Sequence, residues 1–318
     1  MTARIEVVVS AVRAIARDVV QVDLKARSGV ALAGAEAGAH IDLHLPHGPV
    51  RQYSLVNAQP ESAPMDHWRI AIGWDANSRG GSHWIHEKLR VGQVLQASSP
   101  RNQFRLDPAH RRVLLVAGGI GMTPIYAMAR HCAAMGIDWQ LIACARSATR
   151  QVYAEELKAL GADRVETWCD ADRGAPIDLS ARLAHQRWDG VYACGPAPML
   201  NALEQAASHW TAGSVRVERF KAGQPVASER KVFELVLAQS GLATQVSAEE
   251  SVLDAIERLG MDHPSSCREG LCGTCEAPVL DGQVEHHDSV LSAAEKATNE
   301  RLMVCVSRCA GARLVLDL

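Results

Sequence analysis

The apolar residues follow three different patterns along the chain, and each pattern predicts a different kind of structure. Up to about residue 100, short alternating or β-branched segments are separated by turn residues, which is typical of an antiparallel barrel. From residue 111 to 220, continuous apolar strands alternate with helical segments and predict a doubly wound parallel sheet. Residues 231–318 show a hairpin, a helix and further strands, which predict a small α+β domain.

Each of the three segments has its own predicted strands and helices. The first segment has strands Ile5–Val9, Val19–Leu24, His40–Leu45 and Trp68–Gly73, and a helix Trp84–Leu89 with Ser82 as N-cap. The second has strands Val113–Ala117, Gln140–Ala143, Val165–Cys169, Gly190–Ala193 and Val215–Val217, and a helix Ala154–Leu160. The third has a helix Glu249–Leu259 capped by Ser247 and Glu250, and strands Val232–Leu237, Ala243–Val246, Glu276–Leu280, Gln283–His286 and Leu302–Ser307, with an Asp281-Gly282 turn. The predicted domains are 1–107, 108–220 and 231–318, with a polar linker at 221–230.

Composition narrows the class of protein. The 318 residues are 47% apolar and 22% charged, as in an ordinary globular protein. A net charge of −3 gives no electrostatic argument for nucleic acid or a membrane surface. The chain starts without the apolar segment of a signal peptide, and no apolar run approaches ~20 residues. We therefore expect a cytoplasmic protein, and nine cysteines in that setting argue against a disulfide scaffold.

Four cysteines near the end of the chain have the spacing C-x4-C-x2-C and then one more, which is the plant-type [2Fe–2S] ferredoxin pattern. They are Cys267, Cys272, Cys275 and Cys305. Gly270 and Gly273 would let the loop fold closely around a cluster with its amides directed at sulfur. The competing interpretation is a four-cysteine zinc site, although such sites usually use two C-x2-C pairs. Cys309 could be mistaken for the fourth ligand, and we expect it to be a buried spectator.

Two turns of the predicted parallel sheet carry residues suited to a nucleotide. Gly119-Ile-Gly121-Met-Thr123-Pro124 follows a strand and opens a helix, so a pyrophosphate could approach the helix N-terminus closely. Cys194-Gly195-Pro196 ends another strand at the same edge, where open α/β sheets bind ligands. Taken alone, Cys194 would more often be a small buried hydrophobe.

The predicted barrel offers a place for a phosphate and a flat ring. Arg51 and Tyr53 are alternate residues and share one face of a strand, while Ser54 faces the other way or uses its backbone. Ser82, at a helix start after Gly81, leaves free amides for a phosphate. By itself this strand would most often be an ordinary solvated one.

Together these motifs resemble the phthalate dioxygenase reductase family, whose relatives serve vanillate demethylase and similar Rieske oxygenases. The resemblance covers essentially the whole chain and implies the domain order of that family: a barrel binding FMN, a domain binding NADH, and a β-grasp [2Fe–2S] ferredoxin domain. It implies that Tyr53 lies against the flavin ring, Ser54 near its N5 atom, and Arg51 with Ser82 at the phosphate, with Leu55 and Gly81 also binding the cofactor. The Gly-Gly-Ser helix start, with no adenine-binding segment in view, favours FMN over FAD.

The resemblance also implies roles for residues of the second domain. Gly119, Gly121 and Thr123 would lie at the nicotinamide and pyrophosphate, and Cys194, Gly195 and Pro196 near the nicotinamide; Phe220 would cover the flavin. Asp170 would suit a ribose hydroxyl and favour NADH, yet it could be an ordinary turn aspartate. Arg146 and Ser147 could hold phosphate or adenosine instead, which leaves NADPH open.

The implied reaction is hydride transfer from NADH to FMN, with Ser54, Thr123 and Cys194 at the reacting atoms, followed by single-electron transfer through the cluster. The acceptor would be a Rieske-type terminal oxygenase component of an aromatic or related ring-hydroxylating or demethylating system, and the chain a monomer. The cluster loop 267–275 would face the flavin across the linker. Two rivals are a stand-alone flavin, quinone or ferric reductase and a zinc-stabilised nucleotide sensor.

Overall fold

The computed structural model describes residues 4–46, 48, 50–59, 63–78, 80–221 and 231–318, with the side chains of residues 293 and 294 excepted. Contacts divide the chain into two compact units, residues 2–218 and 219–318, which are described separately. Apart from Lys221, the predicted linker lies outside the described residues. In the described part of the chain, every helix is too short or too polar to cross a bilayer.

The first unit begins with a six-stranded antiparallel sheet. Its strands are β1 (Arg4–Ala16), β2 (Val19–Ala26), β3 (His40–His44), β4 (Val50–Ser54), β5 (Trp68–Gly73) and β6 (Val94–Ser98), in the order β4-β3-β6-β1-β2-β5. The edge strands β4 and β5 contact each other, so the sheet curls into the predicted barrel. Alternation places Ile41 and Leu43 in its core, fully buried, and turns Asp42 to the opposite face.

The helix of the barrel, α1 (Gly81–Lys88), corrects one prediction. It begins three residues before Trp84, and Ser82 lies inside its first turn, so Ser82 is not the N-cap. That position belongs to Gly80, whose φ of 88° is left-handed. Glycine adopts this conformation without steric cost, which lets the helix start earlier than the serine suggested.

The second part of this unit is the predicted parallel sheet. Its strands are β7 (Arg112–Gly118), β8 (Asp138–Ala145), β9 (Val165–Cys169), β10 (Gly190–Cys194) and β11 (Val215–Glu218), in the order β11-β10-β7-β8-β9. The helices are α2 (Met122–Met135), α3 (Ala154–Gly161), α4 (Asp170–Arg173), α5 (Ser180–Leu183) and α6 (Ala197–Ala206), with 3-10 turns Gly119–Gly121, Ala148–Arg150 and Ala162–Arg164. The strand order reverses between β7 and β10, and ligands of open parallel sheets bind outside the carboxyl ends of strands at such a point.

Barrel and parallel sheet are joined by direct contacts within this unit. The Tyr153 hydroxyl donates to Gln21 Oε1 at 3.2 Å, and Arg17 N donates to the Thr149 carbonyl at 2.8 Å. At the end of β5, Gly73 lies against Ile120 of the glycine turn, where a Cβ on the glycine would be 3.4 Å from the isoleucine Cβ. The glycine turn of the sheet therefore lies beside the barrel strand that contacts β4.

The 219–318 unit contains the α+β domain. Its elements are β12 (Phe233–Leu237), β13 (Leu242–Val246), α7 (Val252–Arg258), β14 (Glu276–Asp281), β15 (Val284–Glu285), α8 (Ala293–Thr298), β16 (Arg301–Met303), β17 (Arg308–Cys309) and β18 (Arg313–Leu316). The main sheet has the order β13-β12-β18-β14-β16, and α7 packs its buried face, including Leu253 and Ile256, on the core that these strands share.

Three local predictions for this unit are wrong. Helix α7 begins at Val252, capped by Ser251 and Asp254, because Asp254 N donates to Ser251 Oγ at 3.1 Å and Ser251 N donates back to Asp254 Oδ2 at 3.0 Å. The predicted Ser247–Glu250 pair forms only a turn, with Ser247 N donating to Glu250 Oε1 at 3.0 Å.

The other two concern strands. β14 pairs with β16 and β18, and β15 pairs with β17, so the Asp281-Gly282 turn does not close a hairpin. The strand predicted to carry Cys305 ends at Met303. The chain then turns, since the amides of Val306 and Ser307 both donate to the Met303 carbonyl, at 3.1 and 2.9 Å. Cys305 lies on that turn.

Candidate electron-transfer sites

Four cysteine thiols come together in the 219–318 unit. Cys267 is within hydrogen-bonding distance of Cys272 and Cys305, and Cys275 is within the same reach of Cys305. Three of the four are buried and Cys267 is partly exposed. The four thiols thus form a chain of contacts from Cys272 through Cys267 and Cys305 to Cys275. These are the four positions that the spacing selected.

The loop that carries the first three cysteines is tightly folded. Gly270 and Gly273 have left-handed φ values of 68° and 70°. A Cβ on Gly270 would lie 2.6 Å from Val306 Cγ2 and 3.1 Å from Asp288 Cα, so only glycine fits there. The Gly270 carbonyl accepts from Ser289 N at 2.9 Å, and Glu269 N donates to Cys267 Sγ at 3.3 Å. An amide aimed at sulfur and a close backbone fit the needs of an iron–sulfur cluster.

The thiols cannot all ionise together. Hydrogen bonds from Cys272 and Cys305 lower the pKa of Cys267. The same contacts, with burial added, raise the pKa of Cys272 and of Cys305 far above the usual thiol range. Because metal ligation requires thiolates, cluster insertion must release the remaining protons. The donor set therefore fits a cationic cluster rather than four free thiolates.

Cys309 is separate from this set. Its thiol donates to the Arg313 carbonyl at 3.1 Å and accepts from Gly311 N at 3.3 Å. Burial raises its pKa, which is the behaviour of a structural thiol in the turn that joins two strands.

The barrel residues singled out from the sequence lie on β4 and beside it. Arg51 and Tyr53 pair with Leu43 and Ile41 of β3, so they share one face of the sheet, while Ser54 pairs with His40 on the other. Ser54 is buried, and the Leu55 amide that follows it donates to the Ala39 carbonyl at 2.8 Å. The strand thus separates the cation and the ring from the hydroxyl, as alternation predicts.

Arg51 lies across the first turn of α1. A Cβ on Gly81 would be 2.8 Å from Arg51 Nε and 2.9 Å from its Cγ, so glycine is required for this approach. The Ser82 amide donates to Ser78 Oγ at 3.2 Å, and Ser82 Oγ accepts from Asp75 N at 3.3 Å. The Ser82 hydroxyl keeps its own proton to donate, so an anion here would meet a guanidinium and a hydroxyl.

Tyr53 is held as a neutral phenol. Its side chain is partly exposed and packs against the barrel core. Burial raises the pKa of Tyr53 well above its ordinary value, and the charge of Arg51 offsets only part of that rise.

Two glycine turns touch through their backbones at the carboxyl edge of the parallel sheet. A Cβ on Gly121 would lie 2.3 Å from the Cys194 carbonyl oxygen, and one on Gly195 would lie 3.0 Å from Gly118 Cα. Gly119 has a φ of 56° and nothing within 4 Å of its Cβ position, so this side of the turn is open. Thr123 is buried and its hydroxyl donates to the Ile120 carbonyl at 3.0 Å.

Glu218 is a residue of this edge that the sequence analysis left without a role. It lies beside Cys194 in the parallel register of β10 and β11. The residue is partly exposed, but its Oε2 atom is buried and has no hydrogen-bond partner among the described residues. Burial raises the pKa of Glu218 to about 8, and burial with the Glu218 charge raises that of Cys194. The sequence shows an acid at the last position of a strand, but its place level with Cys194 follows only from the sheet register.

The remaining predicted residues are more scattered. Arg146 is exposed, and its carbonyl accepts from Ala171 N at 3.1 Å, which ties the end of β8 to the start of α4 beside Asp170. Phe220 belongs to the other unit and is 39% exposed, so its relation to the barrel stays a prediction.

Comparison with known proteins identifies the class. Residues 235–310 match the family model of the 2Fe-2S iron-sulfur cluster binding domain. The match spans all four cysteines of the set and favours the iron–sulfur cluster over the zinc site. Over its full length the chain is 63% identical to a putative toluene-4-sulfonate monooxygenase system reductase subunit of Comamonas testosteroni, covering 100% of both chains.

Two solved structures share the fold. Phthalate dioxygenase reductase is 33% identical with a TM-score of 0.72, over 99% of this chain and 98% of that one. An intact type IV self-sufficient cytochrome P450 monooxygenase is 37% identical with a TM-score of 0.89, over 99% of this chain but only 41% of that longer one.

Barrel, parallel sheet and cysteine-bearing C-terminal domain thus define an iron–sulfur oxidoreductase. The chain belongs to the phthalate dioxygenase reductase family, the reductase components of oxygenase systems. The resemblance and the fold class predicted from the sequence are confirmed. The domain boundaries and the individual site residues stay predictions.

Proposed function

We propose that this protein takes a hydride from NADH onto FMN and passes single electrons through a [2Fe–2S] cluster to the oxygenase component of a monooxygenase or dioxygenase system. The observation that carries the proposal is the combination, in one chain, of a four-thiol cluster, an arginine laid across a helix start and two glycine turns in backbone contact. Each arrangement alone has other uses, but together they supply one redox chain.

In the barrel, FMN would supply the conversion from two-electron to one-electron chemistry. Arg51, which lies directly against Gly81, and the Ser82 hydroxyl would bind its phosphate. Tyr53 would lie against the ring as a neutral phenol, and Ser54, whose side chain is buried on the opposite face, would lie at the reacting edge through its backbone. These residues bind and orient, and none of them needs to act as a nucleophile.

At the sheet edge, the contact of Gly118 and Gly121 with the 194–195 turn would let the dinucleotide approach the backbone closely. Thr123 and Cys194, both buried, would shape the nicotinamide pocket and keep water out of it. Asp170 would accept a hydrogen bond from a ribose hydroxyl, which favours NADH. Arg146 and Pro196 would also bind the dinucleotide at this carboxyl edge of the sheet.

In the ferredoxin domain, Cys267, Cys272, Cys275 and Cys305 would ligate the cluster, with the Glu269 amide donating to the first sulfur. From the family resemblance we add a Rieske-type acceptor acting on an aromatic or related substrate, a monomeric chain and a cytoplasmic location.

The test is NADH oxidation coupled to a purified oxygenase component, compared with NADH oxidation by a benzoquinone. We expect substrate hydroxylation or demethylation in step with NADH use. Turnover on quinone with no transfer to any oxygenase of the relatives' kind would favour the stand-alone quinone reductase instead.

A further inference from the structure

A side chain of the three-cysteine loop forms ion pairs with helix α7. Arg268 directs NH1 at Asp254 Oδ1, 3.1 Å away, and NH2 at Glu257 Oε1. The two carboxylates are three residues apart, so they lie on one face of the helix and receive one guanidinium between them. We propose that Arg268 is a positioning residue that clamps the cluster loop to α7 and so fixes its distance from Cys305.

The backbone at Arg268 supports a specific need for this side chain. Its φ of 54° is in the left-handed region, which side-chain-bearing residues rarely adopt because the Cβ atom crowds the backbone there. A turn that only needed this conformation would be served better by glycine, which the same loop uses at 270 and 273. An arginine kept at such a position indicates that its guanidinium offsets the backbone cost.

The same helix also holds the segment that carries the fourth cysteine. Leu253 N, in the first turn of α7, donates to the Val304 carbonyl at 2.9 Å, one residue before Cys305. Asp254 in turn caps that first turn through Ser251. Helix α7 therefore contacts both cysteine segments, one by a backbone hydrogen bond and the other through Arg268, and acts as the spacer between them.

This inference rests on the proposed cluster site, and it predicts what loss of the clamp would do. Without Arg268 the loop would still fold around Gly270, whose carbonyl accepts from Ser289 N at 2.9 Å, but its cysteines would open more often. More frequent opening would expose the iron to chelators and would shift the cluster environment. Because the ion pairs are about half exposed, salt should weaken them.

The experiment compares Arg268→Gln with Arg258→Gln in the full-length holoprotein. Arg258 lies on the same helix and also pairs with a carboxylate, Glu250 at 2.8 Å, but its other contacts are Thr244 and Gln245, outside the cluster loop. The readout is the rate at which a chelator bleaches the visible absorption of the cluster, with iron and sulfide content and unfolding midpoint measured beside it.

We expect Arg268→Gln to bleach about three- to tenfold faster than wild type, the scale of one or two exposed ion pairs, with Arg258→Gln near wild type. Raising the salt concentration should accelerate wild type and leave Arg268→Gln unchanged. Arg268→Lys should restore part of the difference, because an ammonium can satisfy one carboxylate at a time.

Three outcomes would overturn the proposal: equal bleaching of the two glutamine variants, a salt response in Arg268→Gln equal to wild type, or wild-type retention in Arg268→Gly, which would show that backbone strain alone matters. If Arg268→Gln does not fold, Glu257→Gln keeps the arginine and should still give faster bleaching. A wild-type protein without iron, sulfide or cluster absorption would instead refute the proposed function itself.

Discussion

The cysteine loop and the nucleotide edge are built in opposite ways. The cysteine site is defined by side chains that are present, three thiols of the loop and that of Cys305, each within hydrogen-bonding reach of at least one other. The edge is defined by side chains that are missing, since a Cβ on Gly121 would fall 2.3 Å from the Cys194 carbonyl oxygen. A thiol spacing can be found in a sequence without knowing the fold. A backbone contact has meaning only once the two turns are known to meet.

The largest expected effect separates the two regions completely. Cys272→Ser should abolish reduction of a ferredoxin-type acceptor, because the cluster loses a ligand, and should spare NADH-dependent ferricyanide reduction, which needs only the first unit. Both rates are measured on folded protein, with Cys309→Ser as the matched control, since that thiol is bonded to Gly311 and Arg313 instead. Loss of both activities in a folded Cys272→Ser would contradict this division.

The second largest effect is expected on hydride transfer, when a methyl group is placed between the two glycine turns. Gly121→Ala must push the turns apart, and a displacement of about 1 Å can cost ~100-fold in rate. Stopped-flow reduction of the flavin by NADH measures this. Gly136→Ala, at the end of α2, serves as control because its φ of 66° brings strain with nothing within 4 Å of the new Cβ. Gly121 itself has an ordinary helical φ of −59°, so similar losses in both variants would mean that general destabilisation, and not the contact, lowers the rate.

A smaller effect is expected on the preference for NADH over NADPH. Asp170→Ala removes the acid proposed for the ribose hydroxyl and should lower kcat/KM for NADH about tenfold without lowering that for NADPH. Asp172→Ala, on the same short helix, should leave the ratio unchanged. An unaltered ratio in Asp170→Ala would return that residue to an ordinary turn aspartate and leave Arg146 as the candidate.

The smallest effect concerns stability. Glu218 has a pKa of about 8 in the folded chain and an ordinary, lower value when unfolded, so folding takes up a proton between those two values. Stability from this group should therefore fall as pH rises from about 5 to 8. Glu218→Gln cannot titrate and should flatten that part of the profile, measured as the unfolding midpoint against pH. Parallel profiles for the two proteins would show that the carboxyl is not buried in solution.

The order of the three domains and the four cysteines could be predicted from the sequence. They followed from periodicity and spacing, which depend on local chain geometry. Helix starts were less predictable: α1 begins at Gly81 because Gly80 adopts a left-handed φ, and α7 uses Ser251 although Ser247 offered a similar pattern. In both cases the start of the helix depended on which of two nearby capping residues the tertiary structure favours.

Features that arise from pairing across the fold could not be predicted. Glu218 gained significance only when β11 was placed beside β10, next to Cys194. The role inferred for Arg268 depends on where α7 packs, since its two carboxylates lie 14 and 11 residues earlier in the chain. Long-range contacts of this kind leave no local pattern.

The central claim is that the cluster receives its electrons from flavin bound in the same chain. The most direct test is anaerobic addition of NADH to FMN-depleted and to FMN-reconstituted protein, with electron paramagnetic resonance detecting the reduced cluster. The account predicts the reduced [2Fe–2S] signal only in the reconstituted sample, together with bleaching of the flavin. The same signal without FMN, or flavin bleaching with no cluster signal at all, would contradict it.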